Sequence, residues 1–144
     1  MYRRAGCELQ VLLVHPGGPF WRNKDLGAWS IPKGEYADED PLAAALREFA
    51  EETGAPVAGD FQPLGEVVQP GGKKVTAWAV EGEFDPAGLT SNVFDMEWPP
   101  RSGRRQSFPE IDRAAWFGLA EARRKMLVGL VPLLDRLAES LTGH

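Results

Sequence analysis

The alternation of hydrophobic and polar positions has different periods in different segments of the chain, and these periods predict the secondary structure. The start of the chain reads as a strand, because LQVLLVHP is a dense apolar run that closes at Pro16. AWSIP and AAWFGL predict two further short strands. FQPLGEVVQ and KKVTAWAVEGEF flank PGG, which predicts a β-hairpin with its turn at residues 70–72.

A helix over residues 41–53 is predicted by apolar side chains at helical spacing, namely Leu42, Ala45, Leu46 and Phe49. Asp40 suits the N-cap, Pro41 suits the first helical position, and Gly54 suits the C-terminal stop. AEARRKML and VPLLDRLAESL predict two more helices near the end of the chain.

Residues 85–111 follow neither period, so we expect a long irregular loop, which in a compact domain is usually functional or mobile. The order of elements is strands, helix, hairpin, strand and helices, which predicts an α+β domain with a mixed sheet flanked by helices. A length of 144 residues favours one domain over residues 1–144. No apolar run approaches the roughly 18 residues that a membrane-spanning helix needs.

The amino-acid composition limits the kinds of molecule that the protein is expected to bind. The net charge of −5 disfavours binding of long nucleic acid, which rewards basic surfaces. Nucleotides remain open as ligands, because a metal ion can bridge carboxylates and phosphates. Cys7 is the single cysteine, so an intrachain disulfide is excluded, and a reducing, cytoplasmic location fits.

Acidic residues concentrate in one segment, since seven of the 21 fall between positions 35 and 52. The predicted helix brings Glu48, Glu51 and Glu52 to one side, where their mutual repulsion is relieved if a cation binds. Oxygen ligands favour magnesium, calcium or manganese over zinc, and magnesium usually takes further ligands from phosphates. Taken alone, the spacing leaves a solvated acidic helix face as the alternative.

The surrounding segment GEYADEDPLAAALREFAEETGA resembles the Nudix box, the signature of hydrolases that act on nucleoside diphosphates linked to another group. The matching positions are Gly34, Glu39, Arg47, Glu48, Glu51, Glu52 and Gly54, with Phe49 in the aliphatic slot. Seven such matches arise by chance on the order of once in 10⁸ placements. Four residues separate Gly34 from Glu39 where the family pattern has five, and Ala55 is smaller than the usual final aliphatic residue.

The resemblance implies an α/β/α sandwich and a pyrophosphohydrolase that uses Mg²⁺, with Mn²⁺ as an alternative. Its substrate would be a nucleoside di-, tri- or polyphosphate derivative, and water would attack phosphorus. The implied metal ligands are Gly34, Glu48, Glu51 and Glu52. Arg47 would support these carboxylates, and Glu39 would support the loop, while the identity of the general base stays open. The short loop leaves an alternative, a catalytically impaired Nudix-fold domain that binds or senses nucleotides.

Outside the box, three groups of residues are candidates for substrate contacts, each with an ordinary alternative. Arg101, Arg104 and Arg105 suit phosphate, or they form a solvated basic loop. Glu110 and Asp112 suit base contact or water activation, or they form an acidic turn. Trp21, with Phe20 beside it, suits stacking on a nucleobase, or these are ordinary aromatic residues.

The segment EWPPRSGRRQSFPEID resembles a group of small bacterial Nudix proteins described as nucleoside triphosphate pyrophosphohydrolases. A nucleotide-type small molecule is therefore the expected partner. The oligomeric state stays open, with a homodimer among the arrangements that the resemblance implies.

Overall fold

A computed structural model describes residues 1–6, 8–31, 41–53, 59–72, 74–89 and 93–142, with the backbone alone described at residues 41, 52, 53 and 142. The strands are β1 Tyr2–Ala5, β2 Glu8–Pro16, β3 Gln62–Val68, β4 Lys74–Ala79, β5 Val93–Glu97, β6 Arg105–Pro109 and β7 Ile111–Gly118. The α-helices are α1 Pro41–Thr53, α2 Leu119–Lys125 and α3 Pro132–Thr142. Short 3₁₀ turns span Pro86–Gly88 and Val128–Leu130.

The central sheet is built around β2, which pairs antiparallel with β1 on one side and with β7 on the other. A parallel bridge between Tyr2 and Glu81 adds a further segment next to β1, so the sheet is mixed. The Tyr2 amide donates to the Val80 carbonyl over 2.9 Å, and the Gly82 amide donates to the Tyr2 carbonyl over 3.0 Å. Strands β3 and β4 form one separate hairpin, and β5 and β6 form another.

Alternation along β2 divides the core into two layers. Leu13 belongs to a cluster with Trp29, Met126 and Leu130 and with side chains of α3. Its neighbour Leu12 belongs to a second cluster, in which Phe49 of α1 and Phe84 pack together. Helix α1 therefore covers one face of the sheet and the C-terminal helices cover the other, which confirms the predicted α+β sandwich.

Most predicted elements are present, and the helix at residues 41–53 has the predicted bounds. The apolar run LQVLLVHP lies within β2 as predicted, and the residues before it form a further strand, β1, which pairs with β2. In AWSIP, whose last residue lies outside the described part of the chain, only Trp29 and Ser30 of the described residues form bridges, so this strand is shorter than predicted. The described residues contain no helix long and apolar enough to cross a membrane.

The prediction of an irregular loop over residues 85–111 was wrong. Strands β5 and β6 pair in register from Val93 opposite Pro109 to Glu97 opposite Arg105. The alternation between buried and exposed side chains along β5 is weak, because Phe94 and Met96 are only half-buried between exposed neighbours. A five-residue strand with one weakly buried face gives too little contrast for a period to be recognised.

Replacing Leu13 by alanine should destabilise the protein by about 2–5 kcal/mol, because this side chain is fully buried and its removal leaves a cavity in the larger cluster. Urea denaturation followed by circular dichroism measures the change. Val128→Ala is the control, because Val128 is 74% exposed, and its effect should stay within about 0.5 kcal/mol. Equal losses in the two variants would contradict the assigned core.

Candidate active site

Helix α1 presents carboxylates beside its buried face. Ala44 and Phe49 are buried, and Phe49 packs against Leu12 and Phe84. Glu48 precedes Phe49, and its side chain is only 17% exposed, whereas Glu51 is 42% exposed. The packing of Phe49 thus fixes the rotation of the helix and holds Glu48 close to the protein surface.

Arg47 links two of these carboxylates. Its Nη1 donates to Oε1 of Glu48 over 2.9 Å and lies 3.4 Å from Oε1 of Glu51. Like charges three residues apart repel on a helix, and the guanidinium between them offsets that repulsion. The arginine is 42% exposed, so this contact contributes little to folding stability. The contact of Arg47 with Glu48 and Glu51 instead orients the two carboxylates.

The remaining predicted ligands are described incompletely. Gly34 and Glu39 lie outside the described residues, and Glu52 is described only as a backbone position one turn after Glu48. The side chains that the structure describes include no group of three or more His, Cys, Asp or Glu residues placed to hold a metal ion. Glu48 and Glu51 supply oxygen donors, and oxygen donors suit a hard divalent cation.

Asp112 lies at an irregularity where β7 pairs with the end of β2. Arg113 is opposite His15 and Ile111 is opposite Pro16, so Asp112 is the extra residue of a bulge. The bulge brings Oδ1 of Asp112 to 2.8 Å from Nδ1 of His15, while Nε2 of His15 lies 2.6 Å from the Lys24 carbonyl. The Asp112 carboxylate and the Lys24 carbonyl are both hydrogen-bond acceptors, so each ring nitrogen of His15 faces an acceptor.

His15 is fully buried, so this contact ties the loop at Lys24 to β7 and engages one carboxylate oxygen of Asp112. Arg113 lies 3.6 Å from the same oxygen. Glu110 is exposed, and its backbone carbonyl accepts a hydrogen bond from the Gly17 amide over 2.9 Å. The two acids therefore have different surroundings, and only Asp112 is held by a buried partner.

The three arginines that the sequence suggests as phosphate ligands lie close together, at one end of the β5–β6 hairpin. Arg101 and Arg104 lie in the connection between β5 and β6, and Arg105 begins β6; all three are exposed. Trp21 lies in the loop that follows β2, with the ammonium group of Lys24 5.1 Å from its ring centre.

Two open clefts lie on either side of the outer part of β7. One has a volume of about 750 Å³ and is lined in part by Trp29, Asp112, Arg113, Phe117 and Lys125. The other has a volume of about 780 Å³, and its lining includes Arg3, Glu83, Phe84, Asp85 and Trp116. Phe84 and Trp116 also pack in the cluster around Phe49, so the second cleft lies on the sheet face that α1 covers.

Both clefts contain charged side chains that are held by contacts with neighbouring groups. The guanidinium of Arg3 lies 4.2 Å from the ring centre of Trp116, and the Trp116 indole donates to the Phe84 carbonyl over 2.9 Å. In the first cleft, hydrogen bonds from Lys125 and from the Trp29 indole lower the pKa of the Asp25 carboxyl below its usual range. These side chains are therefore held in place before any ligand binds.

Sequence reasoning did not identify two of these arrangements. The contact between Arg3 and Trp116 joins positions 113 residues apart, and neither residue is among the candidates that the sequence suggests. Trp98 was not singled out, although its ring contacts Phe20 at a centroid distance of 5.6 Å. Neither contact follows from a local pattern, because the partners belong to different strands and loops.

Comparison with known proteins agrees with this arrangement. The chain matches a sequence model described as "NUDIX domain" over residues 3–137. None of the curated proteins matches the chain.

Among solved structures, a C. elegans Ap4A hydrolase in a binary complex shares 20% sequence identity at a TM-score of 0.68, covering 99% of this chain and 95% of that one. The NUDIX domain of Shewanella oneidensis NrtR, complexed with ADP ribose, shares 20% identity at a TM-score of 0.65, covering 98% and 83%. The MutT protein from Methanosarcina mazei Go1 shares 20% identity at a TM-score of 0.57, covering 98% and 91%.

The structural likenesses agree on the fold, and the sequence match extends over nearly the whole chain. The resemblance found in the segment around Arg47 and Glu48 is thereby confirmed. The chain belongs to the Nudix family.

Proposed function

We propose that this protein hydrolyses a pyrophosphate bond in a nucleoside di-, tri- or polyphosphate derivative with the help of Mg²⁺ held by α1. The observation that carries the proposal is the half-buried Glu48, oriented together with Glu51 by Arg47 on a helix that Phe49 anchors. Glu52 follows one turn later in the same helix. A rigid acidic helix suits phosphoryl transfer, which depends on positioning and charge stabilisation.

In this proposal, Glu48, Glu51 and Glu52 bind the cation, and Gly34 contributes its carbonyl oxygen. A bound divalent ion polarises phosphate oxygens and lowers the pKa of a bound water. Water attacks phosphorus and gives up a proton to a general base, the bridging P–O bond breaks, and the bond electrons leave with the departing phosphate. Arg47 positions the carboxylates, and Glu39 supports the loop that precedes the helix.

The proposed substrate is a nucleotide with several phosphates. Arg101, Arg104 and Arg105 form a set of exposed guanidinium groups, and guanidinium forks bind phosphate oxygens in a bidentate manner. The NrtR domain is complexed with ADP ribose, and another neighbour is an Ap4A hydrolase, so nucleotide derivatives of different kinds bind to this fold. The cleft beside Trp116 is large enough to receive a nucleoside.

Glu48→Gln and Glu52→Gln should each lower the hydrolysis rate by at least about 100-fold, because loss of a metal carboxylate removes several kcal/mol of transition-state stabilisation. A phosphate-release assay with magnesium, run on a panel of nucleotides with identification of the products, measures the rate. Glu139→Gln is the matched control, since Glu139 is an exposed glutamate of α3.

Full activity in both α1 variants, or no hydrolysis of any nucleotide by the parent protein, would overturn the proposal. Nucleotide binding that persists in EDTA without hydrolysis would instead favour the alternative of a binding or sensing domain.

Magnesium should raise the melting temperature of the parent protein, because a cation that binds only the folded state stabilises it by mass action. Differential scanning fluorimetry with increasing Mg²⁺ or Mn²⁺ measures the shift. Glu48→Gln should reduce this shift, whereas Glu139→Gln should leave it unchanged. An identical shift in Glu48→Gln would place the cation elsewhere.

Arg104→Ala combined with Arg105→Ala should reduce the preference for triphosphate over diphosphate substrates by at least about tenfold, because loss of one charge-assisted hydrogen bond to the additional phosphate already costs about 1.5–3 kcal/mol. The ratio of kcat/KM values for the two substrates is the measurement. A double variant with Arg4→Ala and Lys74→Ala removes the same charge from β1 and β4 and serves as the control. Unchanged discrimination in the first variant would remove these arginines from the substrate site.

A further inference from the structure

Among the described residues, the cationic side chains that have no ion-pair partner are concentrated in one region of this acidic protein. Residues 20–24 and 98–105 carry five cationic and no acidic side chains, although the whole chain has a net charge of −5. Arg22, Arg101, Arg104 and Arg105 form no ion pair with any described residue. The two segments together are called the basic aromatic surface below.

Other cations of the described structure are mostly engaged. Arg3 pairs with Glu83 at 3.0 Å, and Arg47 bridges two carboxylates of α1. Lys125 pairs with Asp25, and Arg123 pairs with Asp135. Among the described residues, the basic aromatic surface therefore holds most of the cationic side chains that have no ion-pair partner, with Lys74 and Arg124 among those outside it.

Aromatic rings lie among these charges. Phe20 is 60% exposed, and its ring meets the half-buried Trp98 ring edge to face at a centroid distance of 5.6 Å. Trp21 is also half-buried, with Lys24 over its ring. Exposed ring faces beside unpaired cations offer stacking for bases and charge for phosphates within the same short span.

The surface is held by contacts that fix both segments. The Trp98 amide donates to the Arg104 carbonyl over 2.9 Å, and Gln106 donates through its side chain to the Trp98 carbonyl over 2.9 Å. Gly17 and Gly18 allow the loop after β2 to approach the hairpin closely. A Cβ at Gly17 would lie 1.9 Å from the Pro109 carbonyl oxygen, and one at Gly18 would lie 3.0 Å from the Phe94 ring.

Arg101 strengthens the case for a ligand. It adopts a positive φ of 62°, a conformation that costs a non-glycine residue about 1–2 kcal/mol. A neighbouring position of the same turn, Gly103, has a φ of 74° and avoids that cost. An arginine that is retained at a strained turn, exposed and unpaired among the described residues, is consistent with a role for its side chain in binding.

We propose that the basic aromatic surface binds short single-stranded nucleic acid without sequence preference. Bases stack on Phe20 and Trp98, and the phosphates lie against the arginines of the hairpin tip and Arg22. A duplex fits less well, because its base faces are already stacked and the acidic remainder of the protein repels a long polyanion. This inference goes beyond the pyrophosphohydrolase activity, and it concerns binding without turnover.

Binding should be measured by fluorescence anisotropy with a labelled 12-nucleotide oligo(dT), in EDTA so that hydrolysis does not contribute. We expect a dissociation constant on the order of 10 µM at low salt. The logarithm of the affinity should fall with the logarithm of salt concentration with a slope between about −2 and −3.5, as for three to five phosphate contacts.

Variants separate the two parts of the proposal. Arg104→Ala with Arg105→Ala should weaken binding and flatten the salt slope by about 1.4, whereas Arg4→Ala with Lys74→Ala should leave the slope unchanged. Phe20→Ala should weaken binding of the single strand by about tenfold, since one base loses its stacking partner. Circular dichroism confirms that each variant is folded, which the exposure of these side chains favours.

Three results would overturn the proposal. The first is equal affinity in the two double variants, and the second is equal affinity for a 12-base-pair duplex. The third is tighter binding to vesicles containing anionic lipid than to oligo(dT), which would assign the surface to a membrane. Failure to hydrolyse any nucleotide would contradict the proposed function and leave this binding measurement unaffected.

Discussion

The packing of Phe49 against Leu12 is the contact on which the arrangement of this protein depends. Side chains alternate across a strand, so Leu12 and Leu13 of β2 must face opposite layers, one built on α1 and the other on α2 and α3. Because Phe49 is a buried residue of α1, the neighbouring Glu48 is held at the edge of the contact with its carboxylate partly exposed. Core packing and the orientation of the acidic residues are thus set by the same helix face.

Acidic and basic side chains lie in different regions of the molecule, which the net charge of the chain does not show. The carboxylates of α1 lie on one helix, while unpaired guanidinium groups lie on the hairpin that joins β5 to β6 and on the loop after β2. Acidic groups suit a divalent cation, which takes further ligands from phosphates, and the guanidinium groups suit phosphate directly, so both regions favour the phosphate groups of a nucleotide. The buried contact of His15 with Asp112 and the Lys24 carbonyl fixes the start of the basic loop relative to β7.

Local patterns identified the elements that have strong periodicity. The helix at residues 41–53 was predicted with its bounds, and the strands β2 and β7 were recognised from dense apolar runs. The β5–β6 hairpin was missed because its strands are short and its partly buried residues, Phe94 and Phe108, contact mainly each other across the hairpin. Weak burial leaves a weak pattern, and pairing between strands is a nonlocal property.

The sequence by itself determined the family and the helical spacing of Glu48, Glu51 and Glu52, because these depend on residues within one or two helical turns. The sequence also contains the arginines of the hairpin, but it does not show that they form no ion pair with any described residue. Only the tertiary structure decided that Asp112 bonds the buried His15, that Trp116 lies beneath Arg3, and that Phe20 meets Trp98. These pairs are separated by 78 to 113 residues along the chain, and their contacts arise only when strands and loops pack together.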